Sequence, residues 1–314
     1  MAPIIDRGLN LTEPDTLTQQ ELDAFNTHYA TWDGRPHIGL NFWAEQGRPD
    51  ILKRYRLFAR YLGVAPKTAL TQETVTKIIA NANHIAAQCF GTCMFYSLLG
   101  FEAGVRYPVS GAQRTGYSRE MIVEGLGISC MYSSTRGMET VAFALKDYPW
   151  IEPEQPPAWR NGWAPDHEAF VSGLDFSTPS TSSREVSLLE DWYDRNVGEV
   201  PRFIRFMARH NSELLKAYRN RYENLLKLLP KQVMPTTLIY IHSILHNWGA
   251  LRQNVMLAKN WGVTYDELMN ALWAAAVYYE IDSGVDEIYR AVGDIVDNWE
   301  GSAPTEHAEP GGVG

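Results

Sequence analysis

"HNWGALRQNVMLAKNWGVTYDELMNAL" runs from His246 to Leu272. It reads as a helix, a short turn ending at Gly262, and a second helix opened by Thr264 ahead of Asp266 and Glu267. Threonine is a favoured cap, and acidic residues in a first turn complement the positive end of the helix dipole. The pattern occurs earlier as well: "AQRTGYSREMIVEGL" (Ala112 to Leu126) resembles "AKNWGVTYDELMNAL" (Ala258 to Leu272). Upstream of each lies another matched pair, "FWAEQGRPDILKRY" (Phe42 to Tyr55) and "FMARHNSELLKAY" (Phe206 to Tyr218). Both pairs come in the same order, so helix, helix, glycine turn, helix is written twice in one chain. The first copy holds extra residues between its matched segments, around "GVAPKTALTQET".

Helical periodicity dominates the rest, and strand signals are scarce. Ile51, Leu52, Tyr55, Phe58 and Ala59 recur at helical spacing within Pro49 to Tyr61. Thr71 to Gly100 is long, mostly apolar and alanine-rich, which favours helix. Ser118 caps a helix running to Ser134, with Glu120 in its first turn. The prediction is an all-α protein: a first helical repeat over residues 20–146, a connecting strap over 147–187, a second repeat over 188–295, and a Gly/Pro/Ala-rich tail over 301–314 read as disordered. The strap is rich in Pro, Ser and Trp. Trp150, Trp159 and Trp163 predict that it packs across a repeat rather than hanging free.

Composition narrows the function classes. The chain has 314 residues, 45% hydrophobic and 21% charged, as in an ordinary soluble protein. A net charge of −9 argues against a non-specific nucleic-acid binder. No apolar run approaches the roughly 20 residues that span a bilayer. "MAPIIDRGLN" is too polar for a signal peptide, so the cytoplasm is the expected location. Three cysteines in so long a chain do not suggest a disulfide framework. Ten Trp and sixteen Tyr suggest large aromatic contacts or an aromatic-lined pocket.

Three stretches resemble the carboxymuconolactone decarboxylase and alkylhydroperoxidase D-like superfamily. They are "RNVGEVPRFIRFMARHNSELLKAY" (Arg195 to Tyr218), the Ala-x-x-x-Gly steps Ala112/Gly116 and Ala258/Gly262, and the closing "VYYEIDSGVDEIYRAV". The resemblance implies an all-helical fold, homo-oligomers, and sites near subunit or repeat interfaces. It implies either a Cys-x-x-Cys pair with a His one turn later, or a His four residues before the alanine. Here the thiol places are Asn247 and Ala250, and the His places are Asn254 and Pro108. "CFGTC" (Cys89 to Cys93) has the wrong spacing and lies upstream, so a thiol peroxidase is disfavoured.

Chemistry is then expected on other groups. His242 and His246 are four residues apart, so on a helix they would share one face, suited to proton transfer or to a metal. Glu280 or Asp282 could add a third ligand. Asn254 could hold an oxyanion and Arg252 a substrate carboxylate, with Trp248 and Tyr278 walling the pocket and Gln253 in reserve. In the first copy, Pro108 is expected to break or begin a helix. Glu102, Arg106 and Tyr107 would flank a cavity there, and His84 and Gln88 share the preceding face. The first copy is expected to be a degenerate partner or half of a composite pocket.

The leading expectation is a cofactor-independent lyase or decarboxylase-like enzyme. It would act by proton transfer on a small carboxylated or oxygenated ring, lactone or enone, with His246 and His242 as acid/base and no metal. A non-catalytic helical binding or assembly protein is the second expectation. A metal-dependent hydrolase or oxygenase on His242 and His246 is the third.

Overall fold

The computed structural model describes residues 2–65, 68–275 and 281–300. Tyr278, Glu280, the Asp282 side chain and the 301–314 tail lie outside the described residues. The protein is almost entirely helical. A short antiparallel hairpin, β1 (Ile5–Asp6) and β2 (Leu9–Asn10), precedes α1 (Gln19–Asp33), α2 (Ile38–Glu45), α3 (Pro49–Tyr61) and α4 (Gln72–Ile79). Next come α5 (Ala82–Leu98), α6 (Glu102–Arg114) and α7 (Arg119–Leu145). After the strap follow α8 (Ser183–Val197), α9 (Arg202–His210), α10 (Ser212–Glu223), α11 (Val233–Ile244), α12 (Trp248–Asn260), α13 (Tyr265–Ala275) and α14 (Ile281–Val296).

The predicted helix at Pro49 to Tyr61 has those bounds. The stretch Thr71 to Gly100 is two helices, because Asn81 leaves the helical region and caps α5 through Asn83 N–H. Pro108 does not end α6, which runs through it to Arg114. The proline removes only the bond that its own N–H would have made. α7 continues past Ser134, a left-handed residue (φ 57°) that bends it. α8 begins at Ser183, inside the stretch read as strap.

The turns repeat faithfully. Thr18 and Ser182 open α1 and α8 with the same capping box, closed by Glu21 and Glu185. Left-handed Gly34 and Gly198 end these helices. Gly116 (φ 92°) and Gly262 (φ 76°) make the predicted glycine turns, with equivalent hydrogen bonds to Ala112 and Ala258 carbonyls. The turn before each is also shared: Gly100 in the first copy and His246 in the second are both left-handed and bond identically to the preceding helix. In the first copy, α4 occupies the extra segment.

The two copies meet where α5 packs on α11. Gly91 permits that approach, since a Cβ there would lie 2.2 Å from Cδ1 of Tyr240. The main core spreads from this contact through α5–α14 and takes in the strap residues Trp163 and Phe170. Trp159 stacks on Trp163 and meets Tyr117 edge-on, and Asn161 bonds Glu267 of α13 at 2.7 Å. A smaller core of Leu9, Phe25, Tyr29, Leu52 and Val75 lies under the hairpin. No helix among the described residues is long and apolar enough to cross a membrane.

Candidate functional site

Two cavities occupy matching places, one in each copy. The first opens between α5, α6 and the elements before them, with Tyr240 of α11 added; the second opens between α11, α12 and the helices before them, with Tyr132 of α7 added.

The first cavity, about 310 Å³, lies between the hairpin, α1, α3, α5 and α6. Arg7, Arg56, Arg60 and Arg114 line it, and Asp6 is the one acid among its described lining residues. Asp6 is buried; it accepts from Arg56 Nε at 2.8 Å and pairs with Arg60 Nε at 3.4 Å. Burial pushes its carboxyl up, but Arg56, Arg60 and Arg7 outweigh this and hold it well below the usual range. Asp33, buried behind the lining, also acts on Arg7 and Arg114, so two carboxylates serve four guanidiniums. Arg56 Nη2 and Arg60 Nε lie within ion-pair reach of Asp6, yet neither makes a well-directed hydrogen bond. Burial and the neighbouring cations push Arg60 down to about 10.

Arg7 reaches the cavity from the hairpin turn. It is left-handed (φ 52°) ahead of Gly8 (φ 87°), the geometry of a two-residue hairpin where Asn or Gly is the usual choice. Holding an arginine there costs about 1 kcal/mol. It donates to the Tyr29 hydroxyl.

The two cavity histidines are neutral, and their tautomers follow from their partners. Arg114 Nη1 is a donor only, so His28 Nε2, 2.8 Å away, accepts and His28 carries its proton on Nδ1. His37 caps α2 by accepting from Leu40 N–H at Nδ1 (3.2 Å), which leaves the proton on Nε2. Burial, with the nearby arginines, pushes both down to about 3. His37 stacks on Tyr107 at 4.2 Å and meets Tyr29 edge-on. Tyr107 and Pro108 line this cavity from an unbroken α6, not from the expected helix break. Of the flanking residues, Arg106 instead bonds the Asp33 carbonyl, and Glu102 is exposed.

The second cavity, about 760 Å³, lies between α8, α9, α10, α11 and α12. It contains His242, Asn247, Ala250, Arg252, Gln253 and Asn254 from the sequence-predicted region. His242 is buried against the edge of Tyr132, and burial pushes it down to about 4. Asn254 Nδ2 bonds the Ala250 carbonyl at 2.8 Å. Arg252 is held by both oxygens of Asp294, at 2.7 and 2.8 Å, and by the Ala291 carbonyl.

His246 is not on the His242 face. α11 ends at Ile244, and His246 stands exposed in the following turn, stacked on Trp248 at 5.2 Å. The expected pair is therefore separated by the end of the helix. Among the described residues, no three His, Cys, Asp or Glu come together in a metal-ligand group. Cys89 and Cys93 are buried on α5; burial and the adjoining Cys89 raise the Cys93 thiol well above its usual value, which opposes thiolate formation. His84 is likewise pushed down to about 4 by burial, and Gln88 Nε2 bonds Asn270 at 3.3 Å.

The arginine cluster was missed in the sequence, although a signal for it exists. The matched phrase Leu-Lys-x-Tyr-Arg ends at Arg56 in α3 and at Arg219 in α10. One turn later, α3 has Arg60 where α10 has Glu223. A cation replacing an anion at a buried matched place marks a changed site. No family model matches this chain, and neither a curated protein nor a solved structure matches it.

Proposed function

We infer that this protein binds a small carboxylated molecule in the first cavity and acts on it by proton transfer without a cofactor, as a lyase or isomerase on tandem repeats of the carboxymuconolactone decarboxylase type. One observation carries the reading: four arginines line a cavity with Asp6 the only acid in its described lining and Asp33 behind it, and two guanidinium nitrogens are left without well-directed bonds. Buried cations without counter-charge cost several kcal/mol each, so the cavity favours an incoming anion. Arginine forks match a carboxylate in two-point contacts. The 310 Å³ volume suits one ring rather than a chain. A neutral His37 with its proton on Nε2, stacked on the Tyr107 ring, can donate to an oxyanion as an enolate develops. The matched capping boxes, turns and glycines support the tandem-repeat part of the reading.

A second reading, a non-catalytic binding protein, is favoured by one feature of the same site. The ring nitrogens that could accept a proton are both engaged, His28 by Arg114 and His37 by the Leu40 N–H. Calorimetry with cyclic carboxylates and their uncharged amides tests binding. The acids are expected to bind and the amides not, with Arg60→Ala weakening the acids by about tenfold or more. Equal binding of acid and amide would refute the anion site. Proton NMR in deuterated water tests chemistry: exchange at the carbon next to the carboxylate, lost in His37→Ala, marks an enzyme. Tight binding without exchange or turnover leaves the binding protein.

A further inference from the structure

The second cavity holds different chemistry from the first. At the place of the first cavity's crowded cations, Arg219 is already matched. It pairs with Glu223 at 2.9 Å, donates to the Phe170 carbonyl at 3.1 Å, and lies over the rings of Trp192, Tyr193 and Tyr222 at 4.5, 5.5 and 4.9 Å. Arg219 and Glu223 neutralise each other, so no charge is left there for an anion, and the guanidinium already occupies ring faces that a second cation would need. At the rim, Glu199 and Arg202 are exposed and of opposite sign, and Arg252 is bound to Asp294.

What the cavity does offer is ring surface and one polar atom. Trp192, Tyr193, Phe203, Tyr218 and Tyr222 line it. His242 is 2% exposed, lines the same space, and its Nδ1 has no hydrogen-bond partner. Leaving a buried imidazole nitrogen unpaired is costly, and a ligand that reaches the ring would recover that cost. A hydroxyl both donates and accepts, so it can pair with the imidazole in either tautomer.

We propose that the second cavity is a separate binding site for an uncharged aromatic molecule carrying a hydroxyl, its rings packed among Trp192, Tyr193, Phe203, Tyr218 and Tyr222 and its hydroxyl bonded to the imidazole of His242. This assignment does not depend on the anion site in the first copy.

The test is calorimetry on the full chain with 2-naphthol, uncharged at neutral pH, and 2-naphthoate, its anionic analogue. One 2-naphthol is expected per chain at this site. His242→Leu keeps the bulk, removes the polar atom, and should weaken 2-naphthol up to about tenfold. Gly249→Leu provides an independent block. Gly249 lines the cavity, and a Cβ there would meet nothing within 4 Å, so the variant should fold normally while narrowing the space. It should weaken 2-naphthol at least as much. Arg60→Ala should leave 2-naphthol unchanged and weaken 2-naphthoate, which separates this site from the first. Unaltered 2-naphthol affinity in both His242→Leu and Gly249→Leu would overturn the proposal. So would loss of 2-naphthol binding in Arg60→Ala alone, or 2-naphthoate binding that depends on His242.

Discussion

The two cavities are framed by matching helices and carry opposite electrostatics. In both copies the lysine of Leu-Lys-x-Tyr-Arg ties its helix to the capping glutamate of an earlier one: Lys53 to Glu21 and Lys216 to Glu185, each at 2.7 Å. In both copies a tyrosine hydroxyl meets a guanidinium, Tyr29 with Arg7 and Tyr193 with Arg219. The divergence is one turn further on. In α10, Glu223 neutralises Arg219 within its own helix, and Ser172 donates to the same carboxylate. In α3, Arg60 takes that place, and the counter-charge must come from Asp6 in the hairpin. One position therefore converts a satisfied ion pair into a surplus of positive charge. The second copy is built for stability there, and the first retains charge that a ligand could use.

Breaking each side of this comparison should give unlike results. Glu223→Ala leaves Arg219 buried without its partner and should cost about 3–5 kcal/mol, read by urea unfolding. Arg60→Ala, one helix place equivalent, relieves crowding among cations. It should leave ligand-free stability within about 1 kcal/mol of the parent while carboxylate affinity falls. Equal loss of stability in the two variants would end the argument that the first cavity is under-neutralised.

Acid should expose the buried neutral imidazoles on both sides. His28 and His37 are held at about 3, and His84 and His242 at about 4, all below their ordinary 6.5. Below 6.5 the unfolded chain binds protons that the folded chain refuses. The stability these groups contribute is therefore present above 6.5 and lost as pH falls toward 4 and then 3. Between pH 7 and pH 4.5 unfolding free energy should drop by roughly 2 kcal/mol for each of the well-buried His84 and His242, and by less for each of the partly exposed His28 and His37. A flat profile over that range would show that these rings are solvated.

The seam between the copies should be sensitive to a single methyl group. Gly91→Ala places carbon against the Tyr240 ring and should cost about 1–3 kcal/mol, seen as a lower melting temperature. The smallest effect is expected at the turn that the copies share with different residues. His246→Gly gives the second copy the residue of the first and should stabilise by about 0.5–1 kcal/mol by relieving left-handed strain. Because His246 lines neither cavity, the variant should leave ligand affinity and any turnover unchanged. A loss of activity there would restore His246 to the chemistry.

Much of the fold was legible in the sequence. Helix spacing placed α3, and capping residues opened α7 and α13. The Ala-x-x-x-Gly steps located both left-handed turns, because those signals act through local backbone sterics and caps. His242 and Asn254 were legible as cavity residues because turn spacing fixes their place on α11 and α12. The pairing of His242 with His246 was not, since it required a helix to continue where a left-handed residue ends it. The arginine cavity was the least legible feature. Asp6, Arg7, His28, His37, Arg56, Arg60 and Arg114 come from five separate segments, and no local rule joins them.

Backbone hydrogen bonding and side-chain periodicity are set by near neighbours, so the helical character and the glycine turns could be read from residue order alone. Only the tertiary structure decided which copy carries the charge. That depends on a hairpin aspartate reaching α3, and on Arg60 standing where Glu223 stands in α10. A guanidinium's effect is set by the counter-charges and solvent around it, and folding alone brings those together.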